Sequence, residues 1–201
     1  NAELTGRGGC PGSVVFLTCD AFGVLPPVAK LSSAQAMYHF INGYTAKVAG
    51  TEKGVTEPVP TFSPCYGGPF LSLHPQRYAK MLRERIDRHD VPVWFINTGW
   101  TGGPYGVGKR MSIHHTRAIV NAVLDGKLYA VPTATHPVFG LEVPIQCPGV
   151  PAEVLDPRDT WRDKEAYDQQ ARKLAKQFKD NFTKYSDDVS DAVRAAGPLV
   201  T

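Results

Sequence analysis

The sequence has no apolar run approaching the ~18 residues that a bilayer-crossing helix needs. It also lacks the basic and apolar opening of a secretory leader. No membrane span and no signal peptide are therefore expected. A large excess of either charge is missing too. The chain has 22 Lys+Arg against 19 Asp+Glu, a net +3, well short of the basic excess of a nucleic-acid binder. Cysteine is sparse and scattered: Cys10, Cys19, Cys65 and Cys147 form no C-x-x-C pair. In a domain of this size that pattern excludes a disulfide framework and a zinc ribbon, and reduced thiols in a cytoplasmic setting are expected. His114 and His115 are adjacent, with no H-x-x-H or H-E-x-x-H spacing anywhere, so no metal cage is expected within the chain. Internal repeats, low-complexity tracts and linkers are absent. With 42% hydrophobic and 20% charged residues among 201, the composition is that of one globular domain with a core of its own. The chain begins at Asn1, in loop-like residues, as a fragment or a processed product would.

Strand-like and helix-like pieces alternate. The β-branched and aromatic run "SVVFLTCD" reads as a buried strand ending near Thr18. A helix follows, capped by Ser32 or Ser33, interrupted at Gly43 and ended at Gly50. Residues 51–70 read as loop, rich in proline and glycine. Pro75 suits the first position of a second helix, with Tyr78, Met81, Leu82 and Ile86 on its apolar face. A second strand covers Val93 to Ile96. After a glycine-rich loop, Ser112 caps a helix carrying Ile113, Ala118, Ile119, Ala122 and Val123, stopped at Gly126. Residues 138–161 offer one short edge strand. The last long helix buries Ala171, Leu174, Ala175, Phe178 and Phe182.

The glycine-rich loop poses the functional question. From Gly103 it reads G-x-x-x-x-G-K, through Gly108 and Lys109, the spacing of a phosphate-binding P-loop. The motif then needs Ser or Thr to ligate Mg²⁺, and the chain has Arg110. A guanidinium carries only donors and cannot ligate a cation. The order strand, Gly-rich loop, helix still favours an anion or nucleotide contact, because ligands gather where strands end and helices begin. The residues by themselves therefore indicate an α/β domain with a nucleotide- or anion-binding loop.

Several long segments extend this reading. "FLTCDAFGVLPPVAKLS", "YHFINGYTAKVAGTEKGVTEP", "TFSPCYGGPFLSLHP", "NTGWTGGPYGVGKRMSIHHTRAI" and "GVPAEVLDP" together resemble ATP-dependent phosphoenolpyruvate carboxykinase, in order and along essentially the whole chain. The resemblance implies an α/β fold in which residues 1–201 form the C-terminal portion of a mononucleotide-binding, kinase-like domain with a mixed sheet and flanking helices. The activity it implies is conversion of oxaloacetate and ATP to phosphoenolpyruvate, CO₂ and ADP in gluconeogenesis, with Mg²⁺ and Mn²⁺. Decarboxylation gives an enolate that takes the γ-phosphoryl group, so the catalytic burden is positioning and charge neutralisation.

The family's own P-loop, metal ligands and oxaloacetate ligands match positions upstream of Asn1, so no catalytic residue and no metal ligand carries over, and the isolated segment is expected to be inactive. The partners implied are oxaloacetate or phosphoenolpyruvate, ATP or ADP, and the remaining N-terminal portion of the enzyme. Neither nucleic acid nor membrane is among them, and the oligomeric state stays open, a homo-oligomer included. By resemblance the loop is the adenosine side of the ATP site. Arg110 and Met111 flank the base and Thr116 lies close to it, with Lys109 an accessory cation. Asp20 reads as a turn or hydrogen-bonding residue, Cys19 and Cys65 as small buried hydrophobes, and Trp94 and Trp100 as packing residues. Lys47, Glu52 and Glu57 line the cleft without an assigned step. Two other readings stand beside the enzyme: a non-catalytic nucleotide-binding or regulatory module, and a structural subdomain without a ligand.

Overall fold

The computed structural model describes residues 3–48 and 54–199. In chain order its elements are β1 (Val14–Thr18), β2 (Val28–Leu31), α1 (Ser33–Asn42), β3 (Tyr44–Lys47), β4 (Val59–Phe62), α2 (Pro75–His89), β5 (Val93–Asn97), β6 (Trp100–Thr101), β7 (Lys109–Arg110), α3 (Ile113–Leu124), β8 (Thr133–Thr135), β9 (Glu142–Pro144), α4 (Ala152–Leu155), α5 (Pro157–Thr160), α6 (Lys164–Phe182) and α7 (Asp191–Arg194).

A mixed five-stranded sheet in the order β1-β5-β2-β9-β8 organises the molecule. β1 runs parallel to β5, and β2 antiparallel to it. Side chains alternate across a strand, and β5 shows the consequence. All of its residues are buried. Val93 and Phe95 enter one core with α1, α2 and α6, while Trp94 and Ile96 enter another with Ile119, Ala122 and Val123 of α3. Helices on both faces explain why this strand is continuously apolar from Val93 to Ile96. The five apolar residues read on α6 are all buried in the first core, where Phe178 meets the rings of Tyr44 and Phe62.

Several boundaries differ from the sequence reading. The first helix stops at Asn42, because Gly43 adopts φ 55° and its amide bonds to the His39 carbonyl. Tyr44–Lys47 then pairs with Val59–Phe62 as a two-stranded ribbon, so a strand lies inside the stretch read as loop. Gly50 falls outside the described residues. On α2 the buried positions are Ala79 and Ile86, whereas Met81 is 50% exposed. The strand read in 138–161 is β9, which sits between β2 and β8 rather than at an edge. The helix capped by Ser32 also has its Gln35 reaching back to the Ser32 amide, a complete capping box.

Candidate functional site

Parallel pairing of β1 with β5 brings the C-terminal ends of both strands side by side, with Thr18 opposite Asn97. The chain leaves β1 through Asp20, which is completely buried. One carboxylate oxygen of Asp20 accepts hydrogen bonds from the amide of Phe22 (2.9 Å) and the hydroxyl of Tyr44 (3.0 Å). The other accepts from the amides of Val24 (2.8 Å) and Leu25 (2.9 Å). Burial pushes the carboxyl pKa up, and the donors of Leu25, Phe22, Val24 and Tyr44 oppose it. Burial and the neighbouring carboxylate push the Tyr44 phenol well above its usual range, so Tyr44 keeps its proton and donates. Asp20 thus acts as a hydrogen-bonding residue of the turn after β1, the role the family resemblance implied for it.

Asn97 ties this turn to the end of β5. Its side-chain oxygen accepts from the Asp20 and Gly99 amides (3.0 and 2.9 Å), and its amide donates to the Leu25 carbonyl (3.0 Å). Behind it, the Trp161 indole donates to the Gly23 carbonyl (2.8 Å) and the Tyr167 hydroxyl to the Val24 carbonyl (3.0 Å). Tyr167 in turn meets His136 Nε2 at 2.8 Å. The amides of Val138 and Phe139 both point at His136 Nδ1, which assigns the ring proton to Nε2. Burial lowers the His136 pKa to about 4, keeping the ring neutral.

The G-x-x-x-x-G-K stretch is folded as a β-hairpin. β6 and β7 pair Trp100 with Arg110 and Thr101 with Lys109. Gly103 and Gly108 close the loop between them, and a Cβ on Gly108 would overlap the carbonyl oxygens of Gly103 and Thr101. The P-loop spacing here serves a close backbone crossing. The Tyr105 amide fastens the hairpin tip to the Ala21 carbonyl at 2.9 Å.

Arg110 is exposed on β7. Its Nε donates to the Thr98 carbonyl at 3.0 Å, and its guanidinium carbon lies 5.4 Å from the centroid of the Trp100 ring. A cation within about 6 Å of an indole face is attracted to the ring, which together with the Thr98 bond limits the freedom of the guanidinium. Met111 is buried, with its amide on the Gly99 carbonyl at 2.8 Å. Ser112 caps α3 by accepting from the His114 amide, and Thr116 sits half-buried in the first turn, its amide on the Ser112 carbonyl at 3.0 Å. The three residues singled out for the adenosine side therefore lie on one continuous stretch, from the hairpin into the first turn of α3.

The neighbours are more passive. Cys19 is buried, and desolvation raises its thiol pKa against the lowering pull of Arg110, so it stays a thiol rather than a nucleophile. Trp94 and Trp100 are buried as packing residues, but Trp100 is also the platform for Arg110. Lys47 ends β3, Glu57 is exposed, and Glu52 lies outside the described residues. Among the described residues no three His, Cys, Asp or Glu side chains form a group able to hold a metal ion, and no helix is long and apolar enough to cross a membrane. Thr98, Trp100, Thr160, Trp161, His136 and Tyr167 carry no local motif. They meet only across the fold, as Trp161 meets Gly23 over a separation of 138 residues.

Fold and site together define a mixed α/β sheet domain whose loops cluster at the C-terminal ends of two parallel strands, a class of arrangement that favours ligand binding. The family model for phosphoenolpyruvate carboxykinase of the ATP type matches residues 1–153, and the chain belongs to that family. It is 59% identical over 200 residues to phosphoenolpyruvate carboxykinase (ATP) 2 of Moorella thermoacetica, a match covering 100% of this chain and 38% of that protein. Phosphoenolpyruvate carboxykinase (ATP) of Thermus thermophilus is 58% identical over 198 residues, 98% of this chain and 37% of its own. The protein of that name from Rhodopseudomonas palustris is 59% identical over 200 residues, 100% of this chain and 37% of its own. The chain thus spans well under half the length of these relatives, and the stretch it matches is their C-terminal part.

Proposed function

We propose that residues 1–201 are the C-terminal portion of the nucleotide-binding, kinase-like domain of an ATP-dependent phosphoenolpyruvate carboxykinase, and that they supply the adenosine side of its ATP site. The enzyme converts oxaloacetate and ATP to phosphoenolpyruvate, CO₂ and ADP. The observation that carries the site assignment is Arg110: an exposed guanidinium, 5.4 Å over the Trp100 ring and tethered to the Thr98 carbonyl, beside the N-terminal turn of α3. Its outer face is a flat cationic surface on which a purine ring can stack. Met111 borders that surface, and the Thr116 hydroxyl lies one turn into α3, within the same stretch as the base-flanking pair. Lys109, paired with Thr101 across the hairpin, adds positive charge.

ATP, when bound, supplies the phosphoryl group. The role of these residues is to hold and orient its adenosine end. The described residues offer no donor set for Mg²⁺ or Mn²⁺, and no step of the reaction is assigned to a metal held here.

Arg110→Ala in the full-length enzyme tests the reading. A stacked cation at a partly exposed site contributes roughly 0.5–2 kcal/mol, so ATP and ADP affinity should fall about two- to thirtyfold, with oxaloacetate affinity unchanged. Collapse of kcat with unchanged ADP affinity would instead place the loop at the γ-phosphate. A full-length protein that forms no phosphoenolpyruvate yet binds ATP through Arg110 would leave only a non-catalytic nucleotide module.

A further inference from the structure

Arg110 can orient a base only if the hairpin carrying it is fixed, and the fixing group comes from far along the chain. Thr160 closes α5, and its hydroxyl oxygen accepts from the Gly102 amide at 3.0 Å and lies 3.2 Å from the Thr101 hydroxyl. It also donates to the Pro157 carbonyl at 2.7 Å. A hydroxyl has one proton to give and two lone pairs to share, so Thr160 uses its whole capacity here. Thr101 and Gly102 directly follow Trp100, the indole under Arg110.

The bracket that holds Thr160 is itself anchored. Asp156 accepts from the Arg158 amide at the start of α5 (2.9 Å). Arg158 forms a bidentate pair with Asp168 of α6 (2.9 and 3.1 Å). The Trp161 indole reaches back to the Gly23 carbonyl. The hairpin base is thereby tied to α6 and to the Asp20 turn at once.

We infer that Thr160, beyond the residues matched by the family model, is a positioning residue for the nucleotide, setting Trp100 and hence Arg110 through its bonds to Thr101 and Gly102. This rests on the assignment of Arg110 to the adenosine end. Thr160→Val keeps the shape of the side chain while removing the acceptor for the Gly102 amide and the donor to Pro157.

The test is steady-state kinetics of the full-length enzyme carrying Thr160→Val, Thr160→Ser or Arg110→Ala, with melting temperatures measured alongside. Thr160→Val should raise the KM for ATP about three- to tenfold, the worth of one or two misplaced neutral hydrogen bonds. The KM for oxaloacetate and kcat should stay near wild type, and Thr160→Ser should restore the ATP KM. A wild-type ATP KM in Thr160→Val, a proportional loss in all three parameters, or failure of Ser to rescue overturns the inference. If Arg110→Ala raises the ATP KM while Thr160→Val does not, only this inference falls. If neither variant moves it, the adenosine-site reading falls as well.

Discussion

Replacing Asp20 with Asn tests whether one buried carboxylate organises the loops of the site. The native group receives four donors: the amides of Phe22, Val24 and Leu25 and the hydroxyl of Tyr44. An Asn side chain keeps one acceptor oxygen and puts an NH₂ where the other stood. With its oxygen toward Val24 and Leu25, the NH₂ faces the Phe22 amide, donor against donor, while Tyr44 can rotate to accept. One buried amide is then left without a partner, at about 1–3 kcal/mol, and the remaining bonds lose their charge assistance. Relief from burying a charge offsets part of this, since burial already pushes the Asp20 pKa up. The net expectation is a loss of roughly 2–4 kcal/mol. For a folding unit of about 200 residues that lowers Tm by about 4–16 °C. Urea unfolding monitored by tryptophan fluorescence should show a lower midpoint at unchanged m-value. Asp20→Ala, which leaves all four donors without this acceptor, should be worse. Asp20→Asn within about 0.5 kcal/mol of wild type, the range of an inconsequential surface change, would refute the argument that the carboxylate is the organiser.

Other outcomes follow from the same geometry. Thr116→Val should weaken ATP binding less than Arg110→Ala, by about 0.5–1.5 kcal/mol for one neutral hydrogen bond, and Met111→Leu should be nearly silent because volume and apolarity are kept; nucleotide titration ranks the three. His39 and His136 are both held near pKa 4 by burial, below the ordinary 6.5. Because the unfolded chain binds their protons first, stability is intact above pH ~6.5 and falls as pH drops toward ~4, by about 2 kcal/mol per histidine at pH ~5. A urea midpoint equal at pH ~7 and pH ~5 would contradict this. Gly108→Ala should destabilise by roughly 1–3 kcal/mol through overpacking at the hairpin crossing and raise the ATP KM. An unaffected variant would mean that the crossing is looser than the structure has it.

Much of the framework was legible along the chain because it depends on neighbours in sequence. The apolar run at Val93–Ile96, the α6 stripe from Ala171 to Phe182, and the caps read at Ser32 or Ser33 and at Ser112 are local signals, and each produced its element, with Ser32 taking the first cap. Family membership was legible too, since long unusual segments occur in order. Local signals misled where a residue serves two kinds of structure. Gly43 weakens a helix wherever it falls, and only the pairing of Tyr44–Lys47 with Val59–Phe62 decided that the chain turns into a strand there. Gly103, Gly108 and Lys109 have P-loop spacing, yet a glycine can serve a phosphate or a backbone crossing equally well, and the hairpin partners decided for the crossing. The support of the site lay outside any sequence window. Thr160 meets Gly102 across 58 positions, Trp161 meets Gly23 across 138, and Asn97 meets Asp20 across 77. A hydroxyl, an indole N–H or an amide is a complete donor or acceptor wherever it stands in the chain. Its partner is chosen only when the strands and helices, fixed by their apolar faces, bring two such groups within about 3 Å.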